Sequence, residues 1–185
     1  MEIEYDDRKV VSEAVAQGIC TSEEAWIFIR REHEYLMARG IEGCSDDGYE
    51  KPAEPPTFDL SEQFFFCKKS TPLHIETICE LLRIELIEQL RIGLIEGLQE
   101  EEIPELTKYT IEDCEKLEEE YDFSYIMYKI GYMYENGIGF DQDVENAHIW
   151  YIRAHRNGWD DKNTFSFSKY TPSPVRKPPI TKSDS

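Results

Sequence analysis

The stretch 128–158, YKIGYMYENGIGFDQDVENAHIWYIRAHRNG, reads as two short helices facing each other across a glycine-marked turn. Tyr128, Gly131, Tyr132 and Tyr134 stand at helical spacing and stop at Asn136-Gly137. A second helix opens at Asp143, a residue type whose carboxylate accepts a bond from the free N–H groups of a first helical turn. It then sets Ala147, Trp150, Tyr151 and Ala154 on one face before Asn157-Gly158 ends it. Gly131 and Ala147 remove bulk where two helix backbones approach closely, and the aromatic residues fill the space beside them. Gly137 and Gly139 suit the positive φ that most residues resist.

Ile130-Gly131, Tyr134, Gly137, Gly139, Asp143, Ala147, Trp150-Tyr151, Ala154 and Gly158 recur in one order. That order resembles the Sel-one-like repeat, a relative of the tetratricopeptide repeat. Phe140, Asn146 and His155 stand where the family usually has valine, lysine and a second alanine. The resemblance covers one unit, residues 125–158, and implies an α-helical hairpin used for protein–protein contact. It brings no catalytic residue, cofactor or metal. A repeat unit cannot bury its apolar face alone, and arrays usually need roughly three units. No second copy stands upstream, so the other helices must supply the missing surface.

The 185 residues, 40% hydrophobic, suffice for one domain with a core. A formal net charge of −19 repels nucleic acid and anionic membrane surfaces and attracts a basic protein. Five cysteines, Cys20, Cys44, Cys67, Cys79 and Cys114, are spread singly and odd in number, which suits a reducing compartment. The acidic start MEIEYDDRK does not read as a signal peptide, and no run approaches the ~20 apolar residues of a membrane span. These features predict a cytoplasmic protein, or one delivered to a host cell without a cleaved signal.

From the amino terminus, a short helix over residues 6–19 turns Val10, Val11, Ala14 and Val15 inward. Thr21-Ser22-Glu23-Glu24 forms a capping-box start for a second. Trp26, Ile27, Phe28 and Ile29 make an apolar patch, which Leu36 and Met37 extend to a stop at Gly40. Residues 41–60, rich in Gly, Pro and acids, read as a long, loosely ordered loop. Phe64-Phe65-Phe66 is too short to type from periodicity and is expected to plug the core.

Thr71 as cap and Pro72 at the first position predict the longest helix, over residues 73–98. Ile75, Ile78 and Leu82 share one side of it, and Ile87, Leu90, Leu94 and Leu98 roughly the opposite one. Apolar all round, it is expected to be the central post of the fold. Gly93 and Gly97, one turn apart, suggest a close crossing with a neighbour. After Glu100-Glu101-Glu102 and Pro104, Thr110 and Asp113 can cap a helix carrying Glu112, Asp113, Glu115, Glu118, Glu119, Glu120 and Asp122 against Lys116 alone. Unpaired acids this close repel one another, and the ridge is a candidate dock for a basic partner. Trp159, Phe165, Phe167 and Tyr170 are expected to cap the end of the hairpin. Residues 171–185, with four prolines, Arg176, Lys177 and Lys182, read as a solvated basic tail.

Enzyme motifs are missing: His33-Glu34 lacks the second histidine of H-E-x-x-H, and no phosphate-binding glycine loop or G-x-S-x-G occurs. His148 and His155, seven apart, share a helix face, but no further ligand joins them in the sequence.

The sequence therefore predicts an all-α array of about six helices ending in one hairpin. It is laid out as one domain over residues 1–170: an amino-terminal pair (6–40), a loop (41–60), central and acidic helices (72–122) and the repeat (125–158). The expected role is a non-enzymatic adaptor that binds another protein, not nucleic acid or membrane, and needs no cofactor. The alternative is an acidic antagonist, an immunity protein or DNA mimic, blocking a basic nuclease, toxin or DNA-binding enzyme. Candidate partner-binding residues are Glu112, Glu115, Glu118, Glu119, Asp122, Tyr132, His148 and His155.

Overall fold

The structure, a computed structural model, describes residues 5–40, 59–109 and 121–160. Among these it contains seven α-helices and no strand: α1 (Asp7–Ala16), α2 (Ser22–Arg39), α3 (Leu60–Ser70), α4 (Ile75–Arg91), α5 (Ile103–Leu106), α6 (Ser124–Asn136) and α7 (Val144–Arg156). The all-α expectation holds. The chain divides into two compact units, Met1–His33 with Asp59–Tyr121 and Glu34–Phe58 with Asp122–Ser185, the division falling within α2. Residues 41–58 of the loop predicted over 41–60, most of the acidic helix (110–120) and the segment from residue 161 onward lie outside the described residues, while Asp59 and Leu60 begin α3.

In the first unit α4 packs against α1, α3 and α5. Its inward side, Ile78, Leu81, Leu82, Ile84 and Leu86, is buried, as are Val10, Val11 and Ala14 of α1. The three phenylalanines lie in α3, all buried. Phe64 stacks on Tyr109 at 4.1 Å and Phe65 on Tyr121 at 5.5 Å between ring centroids. Two buried carboxyls are held by donors: Glu85 accepts from Tyr5 (3.2 Å) and Gln89 (3.1 Å), and Glu32 from Gln63. Burial first, then the charges of Glu85 and Glu32, push the Tyr5 hydroxyl far above the usual phenol range, so it stays a donor.

Several expectations here are corrected. The central helix starts later than predicted because Thr71 closes α3, its N–H and hydroxyl both donating to the Cys67 carbonyl; His74 takes the N-cap of α4. It also ends earlier, at Arg91. Gly93 adopts φ +78°, and the Gly93 and Leu94 N–H groups fold back to the carbonyls of Leu90 and Gln89, a left-handed glycine cap. Leu94 is consequently exposed. Gly93 and Gly97 mark no crossing, since a Cβ at either would meet nothing within 4 Å. Val15, expected inward, is exposed, and so is Trp26 of the apolar patch. The capping box at Thr21 forms as expected, with Thr21 N–H and hydroxyl donating to Glu24 and the Glu24 N–H to the Thr21 hydroxyl.

In the second unit α6 and α7 pack against each other. Both end in the same glycine cap. Gly137 (φ +66°) lets the Ile138 N–H reach the Met133 carbonyl, and Gly158 (φ +95°) lets Trp159 reach Ala154. The Asp143 N–H closes the loop on the Tyr134 carbonyl at 2.9 Å, and its carboxylate caps α7 by accepting from the Asn146 N–H. Trp159 is buried, stacked on Tyr128 at 4.5 Å.

At Gly131 the two helices come close together. A Cβ there would lie 2.7 Å from the Tyr151 ring and 3.1 Å from the Ala147 carbonyl oxygen. Gly131→Ala should therefore destabilise the chain by about 1–2 kcal/mol, overpacking outweighing the gain in helix propensity; chemical denaturation measures this. Asp143 gives a pH prediction. The Asn146 N–H holds its carboxyl below the usual carboxylate range. A carboxyl lowered on folding stabilises above its unfolded value and loses that contribution as pH falls through the folded one. The Tm advantage of the wild type over Asp143→Asn should be constant above about pH 5 and shrink below about pH 4.

Candidate interaction surface

The hairpin is anchored within its unit by the last turns of α2. The Glu34 carboxyl, almost fully buried, accepts on one oxygen from the Tyr134 hydroxyl at 2.6 Å and the Trp150 indole N–H at 3.3 Å. One acid of α2 thereby fixes one aromatic residue from each helix of the pair. Buried Lys129 donates to the Ala38 carbonyl in the last turn of α2, where a helix leaves carbonyls unpaired and favours positive charge. The Met37 methyl lies against Gly139, so a side chain there would have to push that flexible end aside. Gly139 also has φ +72°, so two requirements meet at one residue.

Between the helices, the Tyr151 hydroxyl donates to Glu135 at 2.7 Å. Burial, then that carboxylate, holds the hydroxyl far above the usual phenol range and keeps its proton in place. The Arg153 guanidinium lies 4.7 Å from the centre of the Trp150 ring, a cation–π position.

These contacts use up α6. From Ser124 to Tyr134 only Tyr125 reaches the surface. Helix α7 is instead two-faced. Ala147, Trp150, Tyr151 and Ala154 are buried, while Val144 is 66% and Ile149 46% exposed. At 100° per residue, Glu145, Ile149, Ile152 and Arg156 share the outward side, and His148 and His155 run along one flank of it. The single acid of α7, Glu145, lies in its first turn, against Arg153 and Arg156 in the last.

The predicted partner-binding residues separate accordingly. His148 and His155 share the exposed flank of α7. Tyr132 is 4% exposed and belongs to the core of α6; as a surface residue it is corrected, because the tyrosine stripe of this helix faces its neighbours. Asp122 is exposed and accepts from the Ser124 N–H at 2.9 Å, at the start of α6. Glu112, Glu115, Glu118 and Glu119 lie outside the described residues. Sequence reasoning missed Val144 and Ile149, two apolar residues off the inward stripe of α7, and the anchoring role of Glu34, which stands in the charged run Arg30-Arg31-Glu32-His33-Glu34.

A cleft of about 260 Å³ lies between α1 and α4, lined by Val10, Ile84, Lys9, Glu88 and Arg91 among others. Lys9 is paired with Glu88 and Arg91 with Glu100, so neither cation is left to hold an anion. Among the described residues no group of three His, Cys, Asp or Glu side chains is placed to hold a metal ion, and no helix is long and apolar enough to cross a membrane. The chain matches no protein-family model, curated protein or solved structure.

Glu34→Ala should leave two buried donors without their acceptor and cost about 2–4 kcal/mol, whereas Glu34→Gln, which keeps an oxygen there, should cost less than half of that. Urea melts followed by tryptophan fluorescence measure both.

Proposed function

We propose that the chain is a non-enzymatic protein–protein interaction module, an adaptor, in which α6 and α7 form a Sel-one-like repeat. Helix α7 offers its outer face to another protein. The observation that carries this reading is the division of labour within the pair. One helix is buried almost all round, and the other leaves Val144 and Ile149 exposed. The matching order of glycine and aromatic residues supports the assignment to the repeat family. We place the adaptor in the cytoplasm, a compartment that keeps single cysteines reduced.

The net charge of −19 favours a second reading, an antagonist that covers the basic site of a nuclease, toxin or DNA-binding enzyme. The two readings part on where and how the chain binds. A photo-crosslinking amino acid replacing Ile149 in the full chain should capture a partner, and the same group at Val15 on α1 should not. Capture should be lost in Trp150→Ala, which empties the core of the hairpin at about 3–5 kcal/mol. Adducts from Val15 alone, or adducts indifferent to Trp150→Ala, would overturn the adaptor. Capture that collapses between low and physiological ionic strength, where the screening length shortens to ~8 Å, would favour the antagonist.

A further inference from the structure

A side-chain amide carries two donors on its nitrogen and an oxygen that accepts. Gln63 of α3 is 1% exposed, and its Nε2 donates to an oxygen of the Glu32 carboxyl, itself buried on α2. The Gln63 Oε1 is shut off from solvent and meets no donor among the described residues, a costly state for an interior acceptor. Glu85 of α4 belongs to the same cluster. Its charge and that of Glu32 both act on the Tyr5 hydroxyl, which donates to Glu85 at 3.2 Å. The same Glu85 oxygen accepts from the Gln89 amide at 3.1 Å. Asp7, at the start of α1, is a further acid felt at Tyr5. On α2 itself Arg31 and the exposed His33 flank Glu32, each turned ~100° from it about the helix axis.

We propose that Glu32 is protonated in the folded chain at neutral pH and forms with Gln63 a closed acid–amide pair, whose ionisation at higher pH destabilises the first unit. In such a pair the amide N–H donates to one oxygen of the acid, and the acid O–H donates to the amide oxygen. The first of these bonds is present, and the second supplies the donor missing at Gln63 Oε1. The proton goes to Glu32 rather than Glu85 because two donors converge on one oxygen of Glu85, which favours its charged form. Two carboxylates in one buried cluster resist being charged together, so the charge on Glu85 keeps the proton on Glu32. This pH response is independent of how α7 binds.

The geometry selects a proton over a metal ion or a water molecule. A metal ion would take the amide through its oxygen, whereas the amide turns its nitrogen to Glu32. Calcium and magnesium also take about six or more oxygens, and among the described residues no group of three His, Cys, Asp or Glu side chains is placed to hold a metal. A water donating to Gln63 Oε1 would leave the repulsion between Glu32 and Glu85 unrelieved. Turning the amide over would set its oxygen against the carboxyl, two acceptors that again need a proton between them. The sign of the pH effect follows. A carboxyl that keeps its proton on folding, while the unfolded chain releases it near about pH 4, contributes stability that is full below the unfolded value. That contribution is lost as pH rises toward the folded one.

The test pairs infrared spectroscopy with urea melts of the full chain, in the wild type and in Glu32→Gln, the neutral isostere. At neutral pH the wild type should show the carbonyl-stretch band of a protonated carboxyl. The band should vanish in Glu32→Gln and in the urea-unfolded wild type. The urea midpoints of the two chains should lie close together near about pH 4, and the variant should then exceed the wild type by a margin that grows toward about pH 8. Absence of the band from the folded wild type, or its persistence in the variant, overturns the proposal. So does a variant less stable than the wild type at the upper end of that range, or a margin that does not change with pH. A wild-type midpoint raised by calcium or magnesium chloride, with no such rise in Glu32→Gln, would place a cation at Glu32 and overturn it too. Failure of Glu32→Gln to fold counts against the pair, because its amide can both accept from and donate to Gln63; the band of the wild type is read without the variant.

Discussion

A carboxyl group kept away from water is costly unless its oxygens find donors. In this chain Glu34 meets that demand with a tyrosine from α6 and a tryptophan from α7. The bond geometry converts an awkward residue into a register mark. Tyr134 lies near the end of one helix and Trp150 in the middle of the next, so both reach the same oxygen only when the two helices are correctly offset. Much else in that unit follows from the offset. Gly131 comes opposite Ala147, the Tyr151 ring covers the gap beside them, and Tyr128 is left facing Trp159. Lys129 applies the same economy to the neighbouring helix, closing a carbonyl that the end of α2 would leave open.

The anchoring explains why α6 has nothing left to offer a partner. A helix that must contact α7 on one side, supply Tyr134 to Glu34 and supply Lys129 to Ala38 is committed around most of its circumference. Helix α7 commits only the face defined by Ala147, Trp150, Tyr151 and Ala154. Its remaining surface is therefore open to recognition.

The hairpin was legible in the sequence because each of its requirements is local. A left-handed cap demands glycine within a residue or two of the helix end, and an N-cap demands a short acceptor. A close helix crossing demands the smallest side chains. Gly137, Gly158, Asp143 and Gly131 meet these demands, and all fall where the spacing puts them. The helix expected to be the longest is shorter than α2, 17 residues against 18, for the mirror-image reason. Leu94 and Leu98 continue a plausible apolar stripe, yet Gly93 stops the helix before them. Periodicity gives the face of a helix but not its end, and the glycine that resembled a packing notch is a terminator. Glu34 was invisible because nothing in a linear chain says which acid will be covered by residues a hundred positions away. Tyr132 failed in the same way: an aromatic ring suits an interface and a core equally well, and only the neighbours decide.

Both helices of the hairpin finish on Asn-Gly, a dipeptide that ages chemically when the glycine nitrogen is free to attack the asparagine side chain and form a cyclic imide. Here the glycine nitrogens are engaged, Gly137 with Met133 and Gly158 with His155. The two asparagine amides are also turned back, Asn136 to the Tyr132 carbonyl and Asn157 to the Arg153 carbonyl. The caps that end the helices thus double as a preservative: the same two sites that would deamidate over days in a loose chain are shielded for as long as the pair stays closed.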